Sequence, residues 1–235
     1  MKALLFDCDG VLVDTERDGH RVAFNRAFAE KGLAITWGVT EYGALLRIAG
    51  GKERMRRYFE AHGRPVAEQA RDGLIAELHR LKTDLFMEII GAGQLPLRPG
   101  VARLVGEAKA VGLALAVCST SNERAVSLIV EKLLAGGGQN PVDLLLAGDV
   151  VARKKPDPEI YQLASTRLGI PAAECVVIED SRNGLLAAKA AGMRCVITTN
   201  DYTVGEDFTE ADGVFPELGD PPSPHVTLAY LKGLA

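Results

Sequence analysis

Short apolar runs at residues 3–6, 113–118, 144–147, 175–178 and 195–198 constrain this chain most, because from Pro99 onward they alternate with segments of helical periodicity. Runs of this length suit strands buried in a parallel sheet. Helical spacing fills the gaps at residues 101–111, 122–134, 158–168 and 182–191, and Gly112, Gly136, Gly169 and Gly192 fall just past these patterns, where a helix C-cap favours glycine. The alternation predicts an α/β fold, with a parallel sheet covered by helices on both faces. Ligands of such a sheet bind beyond the carboxyl ends of its strands.

Residues 15–92 break the pattern. Their apolar positions follow helical spacing throughout, which predicts a helical domain inserted into the α/β body. The first crossing lies just after Asp14, and Gly91, Gly93, Pro96, Pro99 and Gly100 mark the return. The expected division is therefore a core of residues 1–14 and 93–235 and a helical cap of residues 15–92. Two adjacent linkers form a hinge, on which a cap can open for substrate and close to exclude water.

A chain of 235 residues, 47% of them hydrophobic, has room for one large core or for a core with a satellite domain. Its net charge of −4 argues against nucleic-acid and membrane-surface partners, so any anion must be caught by local groups. The N-terminal apolar stretch is too short for a signal peptide and no stretch is long enough to cross a bilayer, which predicts a cytoplasmic protein. Cys8, Cys118, Cys175 and Cys195 are far apart, form no C-x-x-C pair and lie in or beside apolar runs. They read as reduced, buried residues and not as zinc ligands. Cys8, between two aspartates, sits where carboxylates raise a thiol pKa and oppose its reactivity.

Those aspartates, Asp7 and Asp9, follow the first apolar run and precede a turn at Gly10. Side chains two apart on an extended segment point the same way, so both carboxylates can enter one small volume. Such a pair needs a neutralising cation, or one member must keep its proton and serve as an acid. Other strand ends carry Ser119, Lys155, and Glu179 with Asp180. In a parallel sheet all of these ends share one edge, which brings sequence-distant residues together. Carboxylates without nearby His or Cys ligands form a hard oxygen site suited to Mg²⁺, with Asp7, Asp9, Glu179 and Asp180 as the candidate metal residues.

The segments Asp7-Cys8-Asp9-Gly10-Val11, Cys118-Ser119-Thr120-Ser121, Lys155-Pro156 and Ile178-Glu179-Asp180-Ser181 resemble, in order, the four motifs of the haloacid dehalogenase-like hydrolase superfamily. The resemblance spans the chain and implies a Rossmann-like, three-layer core with a cap inserted after the first motif. It implies that Asp7 is the nucleophile that becomes an aspartyl phosphate, and that Asp9 is the general acid and base. Ser119 and Lys155 then hold the transferring phosphoryl oxygens, and Asp180 binds Mg²⁺, with Glu179 beside it. Val11 stands where many relatives have Thr, and Cys8 where bulky apolar residues are usual; neither change removes a catalytic atom. Lys154 is expected to be a solvated surface charge, and Asn183 to cap the helix that ends at Gly192.

Within residues 15–92, Gly50-Gly51-Lys52-Glu53-Arg54 places two glycines ahead of a helical pattern, where backbone N–H groups and cations can face an anion. His79, Lys82 and Thr83 share a helix face beside Arg80. Together with Asp14-Thr15-Glu16, these segments resemble the CbbY-like branch of the superfamily, whose studied members dephosphorylate xylulose 1,5-bisphosphate. The resemblance implies a phosphatase of a sugar phosphate or bisphosphate; the chain is expected to act as a monomer. One phosphate would meet Asp7 while Gly51, Lys52, Arg54, His79, Arg80 or Lys82 held the other, and Glu16, Thr120, Ser121 and Asn122 would contact sugar hydroxyls. Two rivals stay open: a sugar phosphomutase of the β-phosphoglucomutase type, and a catalytically silent binding module of the same fold.

Overall fold

The structure, a computed structural model, describes residues 1–48, 50–62, 68–135 and 138–234. It divides into two units: Met1–Asp14 with Leu95–Ala235, and Thr15–Gln94.

The larger unit is built on a parallel six-stranded sheet in the order β3-β2-β1-β4-β5-β6, the Rossmann order. Its strands are β1 (Ala3–Phe6), β2 (Ala114–Cys118), β3 (Leu144–Leu146), β4 (Cys175–Glu179), β5 (Arg194–Thr198) and β6 (Gly213–Phe215). Five occupy the apolar runs. The sixth has no such run: β6 is three residues long and pairs with β5 at the sheet edge, where Val214 is exposed, so its sequence carries no burial signal. Alternate residues of β1 face opposite ways. Ala3 and Leu5 join Ala116, Val177 and Ile197 in a buried layer with Ile160, Tyr161 and Ala164 of α7 (Glu159–Leu168) and Leu185 and Ala188 of α8 (Arg182–Ala190). Leu4 and Phe6, equally buried, point to the other face, and α5 (Val101–Ala110) packs against β2. Burying each Leu, Ile or Phe is worth roughly 1.5–3 kcal/mol, which is why continuous apolar runs end up at the centre of the sheet. A short α9 (Leu228–Leu234) packs against α5.

Register fixes where the strand ends fall. Phe6 is level with Val117 of β2 and Ile178 of β4, Cys118 with Leu146, and Glu179 with Ile197. Residues just past these positions therefore share one edge of the sheet. Helix α6 (Glu123–Ile129) is followed by a wider turn, Val130–Leu134; Gly136, the expected end of this helix, and Gly137 lie outside the described residues.

The smaller unit contains a wide turn at Thr15–His20 and helices α1 (Arg21–Glu30), α2 (Val39–Leu45), α3 (Gly51–His62) and α4 (Glu68–Gly91), with no strand among its described residues. Its core is aromatic: Phe24 and Phe28 each lie 4.9 Å from Trp37 between ring centroids, and Tyr58 lies 5.4 Å from it. Ile75, Leu78, Leu85, Phe86, Ile89 and Ile90 form the buried stripe of α4, at helical spacing. The return crossing falls after Gln94, two residues beyond the boundary read from the glycines. The last turn of α4 continues through bonds from Ala92 N–H to Glu88 and from Gln94 N–H to Ile89, with Gly93 in a left-handed conformation at φ 65°. No helix among the described residues is long and apolar enough to cross a membrane.

Candidate active site

β1 delivers Asp7 to the carboxyl edge, where its backbone N–H still bonds to Ile178 at 3.0 Å. The chain then turns at Gly10, whose φ of 75° disfavours any side chain. Space forbids one as well. A Cβ there would stand 2.1 Å from Asp180 Oδ2 and 2.7 Å from Asn200 Nδ2, so the glycine is what lets this loop lie against the Asp180 carboxylate.

From the loop after β3, Lys155 reaches the same point. Its Nζ donates to Asp7 Oδ1 at 2.6 Å, to Glu179 Oε1 at 2.6 Å and to the Cys118 carbonyl at 3.0 Å. β4 supplies the rest. Glu179 is fully buried; Oε1 also accepts from the Tyr161 hydroxyl at 2.6 Å, while Oε2 accepts from Asp180 N–H at 3.1 Å and Ser181 Oγ at 3.4 Å. Asp180 Oδ2 accepts from Asn200 Nδ2 at 2.8 Å. Asp7, Glu179 and Asp180 each present a carboxylate oxygen within 4.8 Å of the others, and all three residues are buried.

Asp9 is not part of that trio. Its Oδ2 accepts from the Ser121 hydroxyl and lies 3.5 Å from Ser119 Oγ, which itself accepts from Ser121 N–H at 3.1 Å. The two aspartates thus sit in different company: Asp7 beside a lysine and two acids, Asp9 beside two hydroxyls.

Charge in the trio is out of balance. Burial pushes the Asp7 carboxyl up to about 7, with Glu179 and Asp9 adding to the rise and Lys155 opposing it. Burial, then Glu179 and Asp7, raises Asp180 well above the carboxylate range. For Lys155, burial alone would lower the pKa, but Asp7 and Glu179 reverse the sign and hold the ammonium protonated. One ammonium does not neutralise three carboxylates. The oxygen-only donor set and the surplus negative charge both fit a hard divalent cation. The four cysteines are free and buried, and burial followed by Asp9 and Asp7 raises the Cys8 thiol far above its ordinary value.

The remaining expectations for this unit divide. Lys154 is a surface residue paired with Asp149 at 3.0 Å. Thr120 and Asn122 line an open cavity of about 440 Å³ with Gly148, Asp149 and Lys154. Asn122 is also the cap of α6, its side chain accepting from Ala125 N–H at 3.3 Å. Asn183 does not cap α8: it lies inside the first turn, and Ser181 does the capping by accepting from Gly184 N–H at 3.2 Å. Ser181, in extended conformation just before the helix, has the cap geometry that Asn183 lacks. Two contributors carried little signal. Tyr161 belongs to the apolar face of α7, where a tyrosine reads as core. Asn200 follows β5 by two residues, and the strand-end argument applied to that strand points to it.

In the helical unit, part of the predicted set surrounds two buried cations, Arg54 and Lys82. Lys82 Nζ donates to His20 Nδ1 at 2.9 Å and lies 4.9 Å from the Phe24 ring centroid. Burial lowers Lys82 to about 8 against the raising effect of Glu16, with Arg54 adding to the fall. His20, not anticipated, is driven well below its usual value by burial, then by Lys82, Arg54 and His79, and so accepts as a neutral ring. Arg54 spends its donors within the unit, on Tyr42 Oη at 2.9 Å, Leu45 O at 3.2 Å and Ile48 O at 3.5 Å, while Tyr42 donates to Glu16 at 2.7 Å. Gly51, the first residue of α3, leaves room for His79: a Cβ there would meet that ring at 3.1 Å. Lys52 and Arg80 are exposed, as is Thr83, which bonds back to His79 O at 2.8 Å.

A Rossmann-order sheet that gathers three buried carboxylates and a lysine at its carboxyl edge defines a hydrolase of the phosphatase type. The chain belongs to the haloacid dehalogenase-like hydrolase family, whose sequence profile matches residues 1–192. It is 55% identical over 236 aligned residues to the CBBY-like protein of Arabidopsis thaliana, covering 99% of this chain and 74% of that one. With protein CbbY of Rhodobacter capsulatus the identity is 44%, over 93% of this chain and 94% of the relative. The crystal structure of a CbbY variant from Rhodobacter sphaeroides in complex with xylulose-(1,5)bisphosphate superposes with a TM-score of 0.74 at 39% identity, covering 98% of this chain and 99% of that one.

Proposed function

We propose that this enzyme removes a phosphate from a phosphorylated sugar, most specifically a sugar bisphosphate such as xylulose 1,5-bisphosphate, through an aspartyl phosphate on Asp7. The observation that carries the reading is the placement of the Asp7 carboxylate 2.6 Å from Lys155, beside Glu179 and Asp180. Asp7 attacks phosphorus and the ester bond to the sugar oxygen breaks. Asp9, held by Ser121 and near Ser119, gives that oxygen its proton and then takes one from the water that cleaves the aspartyl phosphate. Lys155 and Ser119 hold the phosphoryl oxygens, where most of the acceleration of phosphoryl transfer arises. Asp7, Asp180 and Glu179 are the residues that would hold Mg²⁺, which when bound supplies positive charge against the same oxygens. Glu179, whose Oε1 accepts from Lys155 at 2.6 Å, also orients that ammonium.

The helical unit acts as the specificity cap. Lys52, Arg80 and Lys82, with the charge of the internally bonded Arg54, supply cations for a second phosphate. His79 offers a neutral ring nitrogen, because burial and then Lys82 lower its pKa. The buried Lys82 beside His20 is the strongest support, since a desolvated ammonium gains most from an anionic partner. Thr120 and Asn122 in the larger unit, and Glu16 in the helical unit, are assigned to sugar hydroxyls. The deciding experiment is a panel of mono- and bisphosphorylated pentoses and hexoses ranked by kcat/KM, with and without Mg²⁺. Free phosphate released in proportion to sugar consumed, with a bisphosphate preferred, is the expected result. An isomeric sugar phosphate as the product assigns a mutase instead, and no Mg²⁺-dependent turnover by the folded protein removes the phosphatase reading.

A further inference from the structure

Arg98 lies three residues after Leu95, where the chain returns to the larger unit, is nine-tenths buried, and engages backbone carbonyls with both terminal nitrogens of its guanidinium fork. Nη1 donates to the Gly10 carbonyl and to Thr198 O at 3.3 Å; Nη2 donates to Thr199 O at 2.6 Å and Pro216 O at 2.9 Å; Nε faces Asp14 Oδ1 at 3.6 Å. Its own N–H bonds to Leu12 O at 2.8 Å. One side chain therefore ties together the loop after β1 and the chain leaving β5 and β6.

Those are the two walls around Asp180. Gly10 lies directly against the Asp180 carboxylate, and Asn200, next to Thr199, donates to it at 2.8 Å. Arg98 makes no hydrogen bond to the trio itself. We infer that Arg98 is a positioning residue for the metal-binding carboxylates: it fixes the spacing of the Gly10 and Thr199–Asn200 backbones, and that spacing sets the orientation of Asp180. The inference rests on the reading of Asp7, Glu179 and Asp180 as a divalent-cation site. Only a planar fork satisfies carbonyls in four directions at once, so lysine, with the same charge, does not substitute.

The test is direct binding of Mn²⁺, without substrate, measured by electron paramagnetic resonance and calorimetry on the full chain. Groups that orient metal ligands typically contribute 10–100-fold to affinity. Arg98→Lys is expected to weaken Mn²⁺ binding by about tenfold or more, and saturating metal should restore most of kcat while KM for p-nitrophenyl phosphate changes little. A folded Arg98→Lys protein with wild-type Mn²⁺ affinity overturns the inference. Asn200→Ala covers the case in which Arg98→Lys does not fold: it must also weaken Mn²⁺ binding severalfold, and unchanged affinity there overturns the inference independently. Absence of Mn²⁺ binding by the wild-type chain defeats the cation-site reading itself, a result distinct from either variant outcome.

Discussion

Replacing Tyr161 by Phe removes one oxygen from the most enclosed part of the site. The hydroxyl donates at 2.6 Å to Glu179, a residue with no solvent access, while the ring packs in the core and lies 5.0 Å from Lys155 Nζ. Phenylalanine keeps the ring, its packing and its contact with the ammonium, so the perturbation is confined to the hydrogen bond. Burial, followed by Glu179, raises the phenol far above its ordinary pKa, so it is a donor at every working pH. A hydrogen bond to a charged acceptor contributes about 1.5–3 kcal/mol. Glu179 Oε1 retains its bond from Lys155, which places the expected loss near the middle, at about 2 kcal/mol. For a chain of this size that corresponds to a fall in Tm of about 4–8 °C. Calorimetry and far-UV circular dichroism are the right assays, because the single tryptophan, Trp37, belongs to the helical unit and reports on that unit. A loss below about 0.5 kcal/mol, the range of ordinary surface changes, refutes the argument that Glu179 depends on this phenol.

Asp7→Asn is expected to abolish p-nitrophenyl phosphate turnover while leaving the circular dichroism spectrum unchanged, because an amide is not a competent nucleophile; substantial residual activity rules out Asp7 as the phosphoryl acceptor. Gly184→Ala puts a Cβ 1.9 Å from Glu179 Cδ and should cost about 1–3 kcal/mol, whereas Gly106→Ala, in α5 with open space around it, should stabilise by about 0.5–1 kcal/mol; urea melts of the two variants with the same sign remove the packing explanation. Lys82 gives a pH signature. The folded protein releases its proton near 8 and the unfolded chain near 10.5, so the buried charge is unfavourable below pH 8 and stability gains as pH rises between the two values. If that ammonium grips a second phosphate, kcat/KM for a sugar bisphosphate falls above pH 8 relative to p-nitrophenyl phosphate, and parallel pH profiles for the two substrates exclude the role.

The alternation of apolar runs with helical segments was enough to specify the sheet, because strands buried on both faces need continuous apolar sequence and five of the six strands have it. From strand ends alone it follows that Asp7, Ser119 and Asp180 share an edge, since parallel strands all end on the same side whatever their order. Lys155, expected at a strand end, instead lies nine residues past β3 and reaches the edge only through the folded loop. Strand β6 escaped because a three-residue edge strand buries too little to leave a pattern. Which residue caps α8 was equally hidden, since Ser181 and Asn183 are both good caps by type and only backbone angles choose between them.

The environments of the carboxylates belong to tertiary structure. Nothing local distinguishes Asp7 from Asp9, yet one meets Lys155 from beyond β3 and the other meets Ser121 from beyond β2. Tyr161, Asn200 and Arg98 read in sequence as a core tyrosine, a loop asparagine and a linker arginine. Each acquires its partner from a strand or loop at least 18 residues away in the chain, the nearest pair being Tyr161 with Glu179. Sequence determined which atoms arrive at the sheet edge, because burial and strand direction are written in local pattern. Only the folded chain decided which charges face one another there, because hydrogen bonding and desolvation depend on neighbours that the backbone brings together from afar.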